Sequence, residues 1–119
     1  MTEQLSIERN WTVSSQSKAM AAGDVSAMEL AEVALQQAAE KSVLNAVVSL
    51  DPEIVRRQAA ESDERRASGQ TLSEIDGICI AVKDNFWTKD YPTTACSNAT
   101  PRVPEKTDAF VIAKLRSAG

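Results

Sequence analysis

The residues that could do chemistry in this sequence are concentrated at Lys83-Asp84-Asn85, directly after the apolar run of residues 77–82. An unbroken run rich in Ile and Val, bounded by turn residues, predicts a strand buried on both faces. In open α/β sheets, ligand chemistry collects beyond the carboxyl ends of such strands, which is where Lys83 lies. A lysine that is partly desolvated there presents a neutral amine near pH 7 and can act as a base. The alternative is a lysine that only marks the strand's exit into solvent.

Composition excludes several other kinds of catalytic site. The 119 residues contain no histidine, which excludes Ser-His-Asp and Cys-His arrangements built from this chain alone. The two cysteines cannot form the usual tetrahedral zinc site without histidine, and we expect neither a metal nor a cofactor. We expect Cys79 to be a small core residue and Cys96 to be a loop thiol; a disulfide between them is conceivable, but the context looks reducing. Proton transfer is then left to carboxylates, lysines or Tyr91.

Length, charge and hydropathy are typical of one small globular domain. Hydrophobic residues make up 43% of the chain and charged residues 25%, which is ordinary for such a domain. The net charge of −4 argues against unassisted nucleic-acid binding and against attachment to an anionic membrane. No apolar run reaches the length of a membrane span, and the first residues lack the pattern of a secretory signal. We therefore expect a cytoplasmic protein.

Two helices should open the fold. Residues 1–12 have no hydrophobic period and predict an arm that Trp11 anchors, whereas residues 13–22 predict a short helix. Residues 26–29 form a capping box, and apolar residues at helical spacing then predict a closely packed helix to about residue 40. Its alanine-rich stripe could be a face for a partner protein, but core packing is the favoured interpretation.

The second half of the chain should alternate strand, helix and loop, which predicts an α/β fold. Residues 44–50 are rich in β-branched residues and predict a short strand. Residues 52–68 begin with a proline after an aspartate and predict a helix whose interleaved charges face solvent. Residues 84–107 predict a long irregular loop of the kind that is often functional, and a last helix starts at Thr107-Asp108.

Several segments resemble the amidase-signature family, and they do so in the family's order. Residues 77–85, GICIAVKDN, resemble the family's Gly-x-Pro-hydrophobic-x-hydrophobic-Lys-Asp-Asn segment. Residues 92–97, PTTACS, resemble its Pro-Thr-Thr-Ala-Gly-Ser loop. An early helix start, the opening of a first strand and the last helix are also similar, at residues 26–30, 44–46 and 104–119. The resemblance extends from about Trp11 to Gly119.

This resemblance implies an amide hydrolase with a Ser–cis-Ser–Lys triad, within one α/β fold built around a mixed sheet. Lys83 aligns with the triad lysine, the base that takes a proton from a bridging serine, which in turn activates the serine that forms an acyl-enzyme. Residues 1–119 would then be the N-terminal segment, about a quarter, of a single domain whose serine motif lies beyond Gly119. We expect a small-molecule amide as substrate, the remainder of the amidase as partner, and no activity from this chain alone.

Two other functions stay open. The same segments also resemble the amidase subunit of glutamyl-tRNA amidotransferases, which releases ammonia from glutamine for a partner protein. The chain could instead be an inactive remnant or a binding module; a companion chain with a Gly-Gly-Ser-Ser-Gly-like segment would favour an enzyme. Because uncovered strands would expose apolar surface, we expect residues 1–119 alone to be aggregation-prone or partly disordered.

The sequence departs from the family pattern at two positions. Cys79 stands where the family has a proline, and Cys96 stands where it has a glycine. The first is a small change within the predicted strand. If the glycine needs a positive φ angle, we expect the loop around Cys96 to bend differently in this protein.

Overall fold

The computed structural model describes residues 11–119, and their regular structure is helical. Most of the arm predicted for residues 1–12 therefore lies outside the described residues. The four α-helices are α1 (Val13–Ala22), α2 (Ala27–Glu40), α3 (Pro52–Ala67) and α4 (Phe110–Ser117), with a 3-10 turn at Ser42–Leu44 after α2. The predicted helices are confirmed, although α4 begins at Phe110 rather than at Thr107-Asp108.

Hydrogen bonds in the first turn of α2 fix where this helix begins. The Ser26 hydroxyl accepts a hydrogen bond from the Glu29 amide at 3.0 Å, and the Glu29 carboxylate accepts one from the Ser26 amide at 2.8 Å. The predicted capping box is thus confirmed. Asp63 of α3 adds a second cap, because its carboxylate accepts hydrogen bonds from the amides of Ala27 and Met28 at 2.8 and 3.0 Å. The dipole of α2 favours this negative charge at its N-terminus. Because Asp63 belongs to α3, the contact also holds α2 against α3.

The core lies where α2 packs against α3 and the end of α1. Its buried apolar members are Met20, Val25, Ala27, Leu30, Ala31 and Ala59. Trp11 packs against this cluster, while the arm that it is predicted to anchor lies mostly outside the described residues. The first half of the alanine-rich stripe on α2 is buried in this core, as the packing interpretation predicts, and the second half is only partly covered.

The two predicted strands are not formed. Residues 44–50 and residues 78–82 belong to no strand, and the single β-bridge within residues 11–119 joins Pro92 to Pro104. A strand needs the backbone of a second strand to satisfy its amides and carbonyls, and the described residues offer none. The burial on both faces predicted for residues 77–82 is also wrong here, because Ile80 is 53% exposed and Val82 is 40% exposed. Cys79, predicted as a core residue, is likewise exposed.

Large apolar side chains are exposed in several places. Val43 is 89% exposed, Leu44 is 68% exposed and Phe110 on α4 is 80% exposed. Exposed apolar side chains of this size favour association, which is the premise of the expected aggregation of residues 1–119. None of the helices described is both long and apolar enough to cross a membrane.

A buried carboxylate, Asp76, connects α3 to the turn that precedes the Lys83 segment. Its side chain is fully buried and accepts two hydrogen bonds from the Arg65 guanidinium, at 2.7 and 2.9 Å. It also accepts one from the Leu72 amide at 3.0 Å, and its backbone carbonyl accepts one from Arg66 at 3.1 Å. Burial alone would raise the pKa of the Asp76 carboxyl, but the hydrogen bonds from Arg65 and Leu72 outweigh it and lower this pKa to about 2.

The same turn is attached to the end of α4. The Gly77 amide donates a hydrogen bond to the Gly119 carbonyl at 3.2 Å, and the Ser73 hydroxyl donates one to the Ala118 carbonyl at 2.6 Å. A side chain at Gly119 would collide with Asp76, because an added Cβ would lie 2.4 Å from the carboxyl carbon. The close approach of the Gly119 backbone to the Asp76 side chain therefore requires glycine at position 119.

Candidate functional site

Lys83 lies in irregular backbone immediately before a turn. The Phe86 amide donates a hydrogen bond to the Lys83 carbonyl at 3.2 Å, which closes that turn. The Lys83 side chain is exposed and forms no ion pair with residues 11–119. The described residues therefore do not desolvate the Lys83 side chain, as a base at the end of a buried strand would require. The neighbouring Val82 is itself 40% exposed.

Asp84, the residue after Lys83, is held on two sides by the segment that resembles the family's second loop. Its carboxylate accepts hydrogen bonds from the Thr94 amide, at 3.0 Å, and from the Thr94 hydroxyl. Its backbone carbonyl accepts a hydrogen bond from the Ala95 amide at 2.7 Å. We call Asp84 and Thr94, with these contacts, the Asp84–Thr94 clamp. The two motifs that the sequence resembles separately are thus in direct contact.

Thr94 is the fixed side of the clamp. It is 4% exposed, and its hydroxyl oxygen accepts a hydrogen bond from the Cys96 amide at 3.1 Å. Its carbonyl accepts a hydrogen bond from the Ser97 amide at 2.8 Å and another from the Thr100 hydroxyl at 3.2 Å. These contacts hold the whole loop around Thr94 in one conformation.

Left-handed backbone forms the tip of this loop. Ala95 has a φ of 47° and Cys96 a φ of 56°, so both central residues of the turn that the Ser97 amide closes lie in the region that favours glycine. Cys96 adopts this positive φ despite its side chain. The surrounding hydrogen bonds to Thr94 hold it there.

Replacing Cys96 with glycine should raise the free energy of unfolding of the full-length protein by about 0.5–1 kcal/mol. A left-handed conformation costs an L-residue roughly 1–2 kcal/mol, and glycine removes this strain from the folded state. The greater conformational entropy of glycine in the unfolded chain cancels about half of the resulting stabilisation. Chemical denaturation measures the difference. Cys79→Gly is the matched control, since Cys79 is also an exposed cysteine but has no positive φ, and it should destabilise. Equal losses in both variants would contradict the strain assigned to Cys96.

The remainder of the loop is folded back onto the start of α4. The Trp87 carbonyl accepts a hydrogen bond from the Ala109 amide at 2.9 Å, and the Lys89 amide donates one to the Asp108 carboxylate at 2.9 Å. Arg116 on α4 donates to Asp108 at 2.8 Å and to Asp90 at 3.2 Å. The long irregular loop predicted for residues 84–107 is therefore an ordered, hydrogen-bonded segment.

Lys83 could be singled out as a candidate from the sequence, but the residues that hold its neighbour could not. The only signals in the sequence are the polar residue after the lysine and the paired threonines in the next motif. Neither motif predicts that Asp84 and Thr94 are in contact. Tyr91, considered for proton transfer, lies elsewhere: its hydroxyl oxygen accepts a hydrogen bond from the Asp51 amide at 3.2 Å, at the start of α3. Within residues 11–119, no three acidic or cysteine side chains converge on a metal position.

Known proteins match most of this chain. The model of the family described as Amidase matches residues 29–119. The chain is 37% identical over 109 residues to the A-type subunit of the mitochondrial glutamyl-tRNA(Gln) amidotransferase of Drosophila pseudoobscura pseudoobscura, covering 92% of this chain and 22% of that protein. It is 40% identical over 109 residues to the A-type subunit of the glutamyl-tRNA(Gln) amidotransferase of Chloroflexus aggregans, covering 91% and 22% respectively. No solved structure matches.

The extent of these matches decides what they establish. The chain spans about a fifth of the length of the curated relatives it matches. The family match, by contrast, takes in α3, α4, the Lys83 segment, both halves of the Asp84–Thr94 clamp and most of α2. On this match over most of its length, the chain belongs to the amidase family.

Proposed function

We propose that this chain supplies the base of an amide bond hydrolase of the Ser–cis-Ser–Lys type, and that Lys83 is that base. The observation that carries the proposal is the family match over residues 29–119, which includes Lys83-Asp84-Asn85. The placement of Lys83 is compatible with this role, because its side chain is exposed and unpaired among the described residues and its backbone is held in a closed turn.

In the proposed reaction, the neutral amine of Lys83 accepts a proton from a bridging serine, which takes the proton of the nucleophilic serine. The nucleophilic oxygen attacks the amide carbon, the carbon–nitrogen bond breaks, and the leaving nitrogen takes the proton back from the Lys83 ammonium through the bridging serine. Water then hydrolyses the acyl ester and regenerates the serine. Both serines would come from protein outside residues 1–119, and cover from that protein over Val82 and Lys83 would favour the neutral amine.

The α/β architecture of the family belongs to the same proposal. Residues 44–50 and residues 78–82 would become strands of a mixed sheet by pairing with strands from the rest of the domain. Their exposed β-branched side chains support this, since Val47 is 53% exposed and Ile80 is also 53% exposed. The partner of this chain is thus the remainder of the amidase.

A second candidate function is glutamine hydrolysis within an amidotransferase. The relatives described above, from an insect and a bacterium, are both A-type subunits of a glutamyl-tRNA(Gln) amidotransferase. In that case the full-length protein would release ammonia from glutamine for partner subunits. An inactive remnant or a binding module would keep the same fold and hydrolyse nothing.

Ammonia release by the full-length protein tests the proposal and separates these candidates. We expect hydrolysis of at least one substrate when L-glutamine, acetamide and benzamide are compared. Turnover of the simple amides would favour a general amidase, whereas turnover confined to glutamine and raised by partner subunits would favour an amidotransferase. Absence of ammonia from every amide, with and without partner subunits, would contradict the hydrolase proposal and leave the inactive remnant.

A further inference from the structure

We propose that the Asp84–Thr94 clamp positions Lys83, so that Asp84 and Thr94 are positioning residues for proton transfer. This inference rests on the proposed function of Lys83 as a base. It adds two residues that touch neither the substrate nor the reacting atoms and act through the backbone of their neighbour.

Backbone contacts fix where the Lys83 side chain starts. Its ammonium has no ion-pair partner among the described residues, so nothing in residues 11–119 orients it from the far end. Its Cα lies one peptide unit, about 3.8 Å, from that of Asp84. The position from which the amine reaches out is therefore set by what holds Asp84 and by the turn that Phe86 closes.

Asp84 is held by several hydrogen bonds at once. The Thr94 amide, at 3.0 Å, and the Thr94 hydroxyl both donate to its carboxylate, while the Ala95 amide donates to its carbonyl at 2.7 Å. The side chain is thus fixed to Thr94, and the main chain is fixed to the next residue, Ala95. The hydrogen bonds from Thr94 hold the pKa of the Asp84 carboxyl below its usual range, because they stabilise its charged form.

The loop that supports the clamp contains strained backbone. The turn beyond Thr94 places both Ala95 and Cys96 in left-handed conformations that side chains disfavour. Such strain persists only where surrounding contacts determine the conformation, and it is common near functional sites. A shift of about 1 Å in a catalytic group can lower a rate about 100-fold, so a clamp at the adjacent residue has a large effect on the chemistry.

Labelling of the full-length protein by a fluorophosphonate tests the inference without a known substrate. The probe reacts with an activated serine, and its rate separates into reversible binding and the covalent step. Thr94→Val removes the hydroxyl but keeps the branched shape; we expect the covalent step to slow by about 10- to 100-fold with reversible binding unchanged. Thr94→Ser retains the hydroxyl and should restore the covalent step to within about threefold of the parent.

A matched control separates positioning from general damage to the loop. Thr88 lies in the same loop and is partly buried, and its hydroxyl oxygen accepts a hydrogen bond from the Asp90 amide at 2.9 Å. It makes no hydrogen bond to Asp84, so Thr88→Val should label at the parental rate. A slow Thr88→Val variant would mean that any lost hydroxyl in this loop slows labelling, which would overturn the assignment to the clamp.

A second variant keeps the test decisive if Thr94→Val fails to fold. Asp84→Asn preserves the shape and one acceptor oxygen but removes the charge, and we expect it to slow the covalent step as well. The double variant should be no slower than the slower single variant, because both changes remove the same contact. Parental labelling in Asp84→Asn, or losses that multiply in the double variant, would overturn the inference.

Failure of this inference can be told from failure of the proposed function. If Lys83→Ala labels at the parental rate, Lys83 is not the base and the proposed function fails. If Lys83→Ala labels slowly while Thr94→Val and Asp84→Asn label at the parental rate, Lys83 keeps its role and only the positioning inference fails.

Discussion

Replacing Lys83 with alanine in the full-length protein is expected to lower kcat for amide hydrolysis by about 10²- to 10⁴-fold, the usual contribution of a positioned base. The fold should remain intact, because the Lys83 side chain is exposed and forms no ion pair among the described residues. Steady-state kinetics and thermal unfolding of the same preparations check both halves of the prediction. Activity within a few-fold of the parent would defeat the assignment.

Two further variants make this test specific. Lys83→Arg keeps a positive charge but cannot present a neutral amine, so it should be as inactive as Lys83→Ala if the role is that of a base. Lys106→Ala removes another exposed lysine, from the segment just before α4, and should leave kcat unchanged. A Lys83→Arg variant with parental activity would show that charge, and not proton transfer, is what the position contributes.

Replacing Asp76 with asparagine should destabilise the protein by about 2–3 kcal/mol, because it removes the buried carboxylate that accepts charge-assisted hydrogen bonds from Arg65 and the Leu72 amide. Asp76 is fully buried against Arg65, whose side chain is 27% exposed. The contact joins α3 to the turn at residues 72–77, so amide hydrogen exchange in both segments should rise together. Chemical denaturation of the full-length protein measures the total loss.

An exposed ion pair on the same helix is the matched control. Arg56 of α3 also makes two hydrogen bonds to one carboxylate, that of Glu32 on α2, but both side chains are 48% exposed. Solvent screens such an exposed pair, so Glu32→Gln should change stability little. Losses of similar size in Asp76→Asn and Glu32→Gln would contradict the importance assigned to burial.

The lowered pKa of Asp76 predicts how this contribution depends on pH. Its value of about 2 in the folded protein lies below the ordinary value of 3.8. A carboxyl with a lowered pKa stabilises the fold fully above its unfolded pKa and loses that stabilisation as pH falls toward its folded pKa. The difference in unfolding free energy between the parent and Asp76→Asn should therefore be constant above about pH 5 and shrink between about pH 4 and pH 2.

The helices could be predicted from the sequence because their signals are local. The capping box at Ser26 and Glu29 and the aspartate and proline before α3 are each complete within a few residues. The sequence predicts the start of α4 too early because Asp108 looks like a helix cap. In the structure the Asp108 carboxylate instead accepts hydrogen bonds from Lys89 and Arg116, which are distant in sequence.

The strands and the site depended on contacts that no local pattern contains. Residues 78–82 have strand-forming side chains, but a strand exists only when a second backbone pairs with it, and the described residues supply none. Lys83 could be found through its place at the end of that run and through the family resemblance. The hydrogen bonds between Asp84 and Thr94 span ten positions and could not be predicted from either motif alone.

The measurement that tests the central claim most directly is the site and rate of fluorophosphonate labelling in the full-length protein and in its Lys83→Ala variant. Peptide mass spectrometry identifies the labelled residue, and intact mass gives the rate. If Lys83 is the base that activates a serine nucleophile, the parent carries one adduct on a serine outside residues 1–119, and Lys83→Ala forms it about 100-fold more slowly or worse. Equal rates in the two proteins, or no adduct in the parent, would contradict the account.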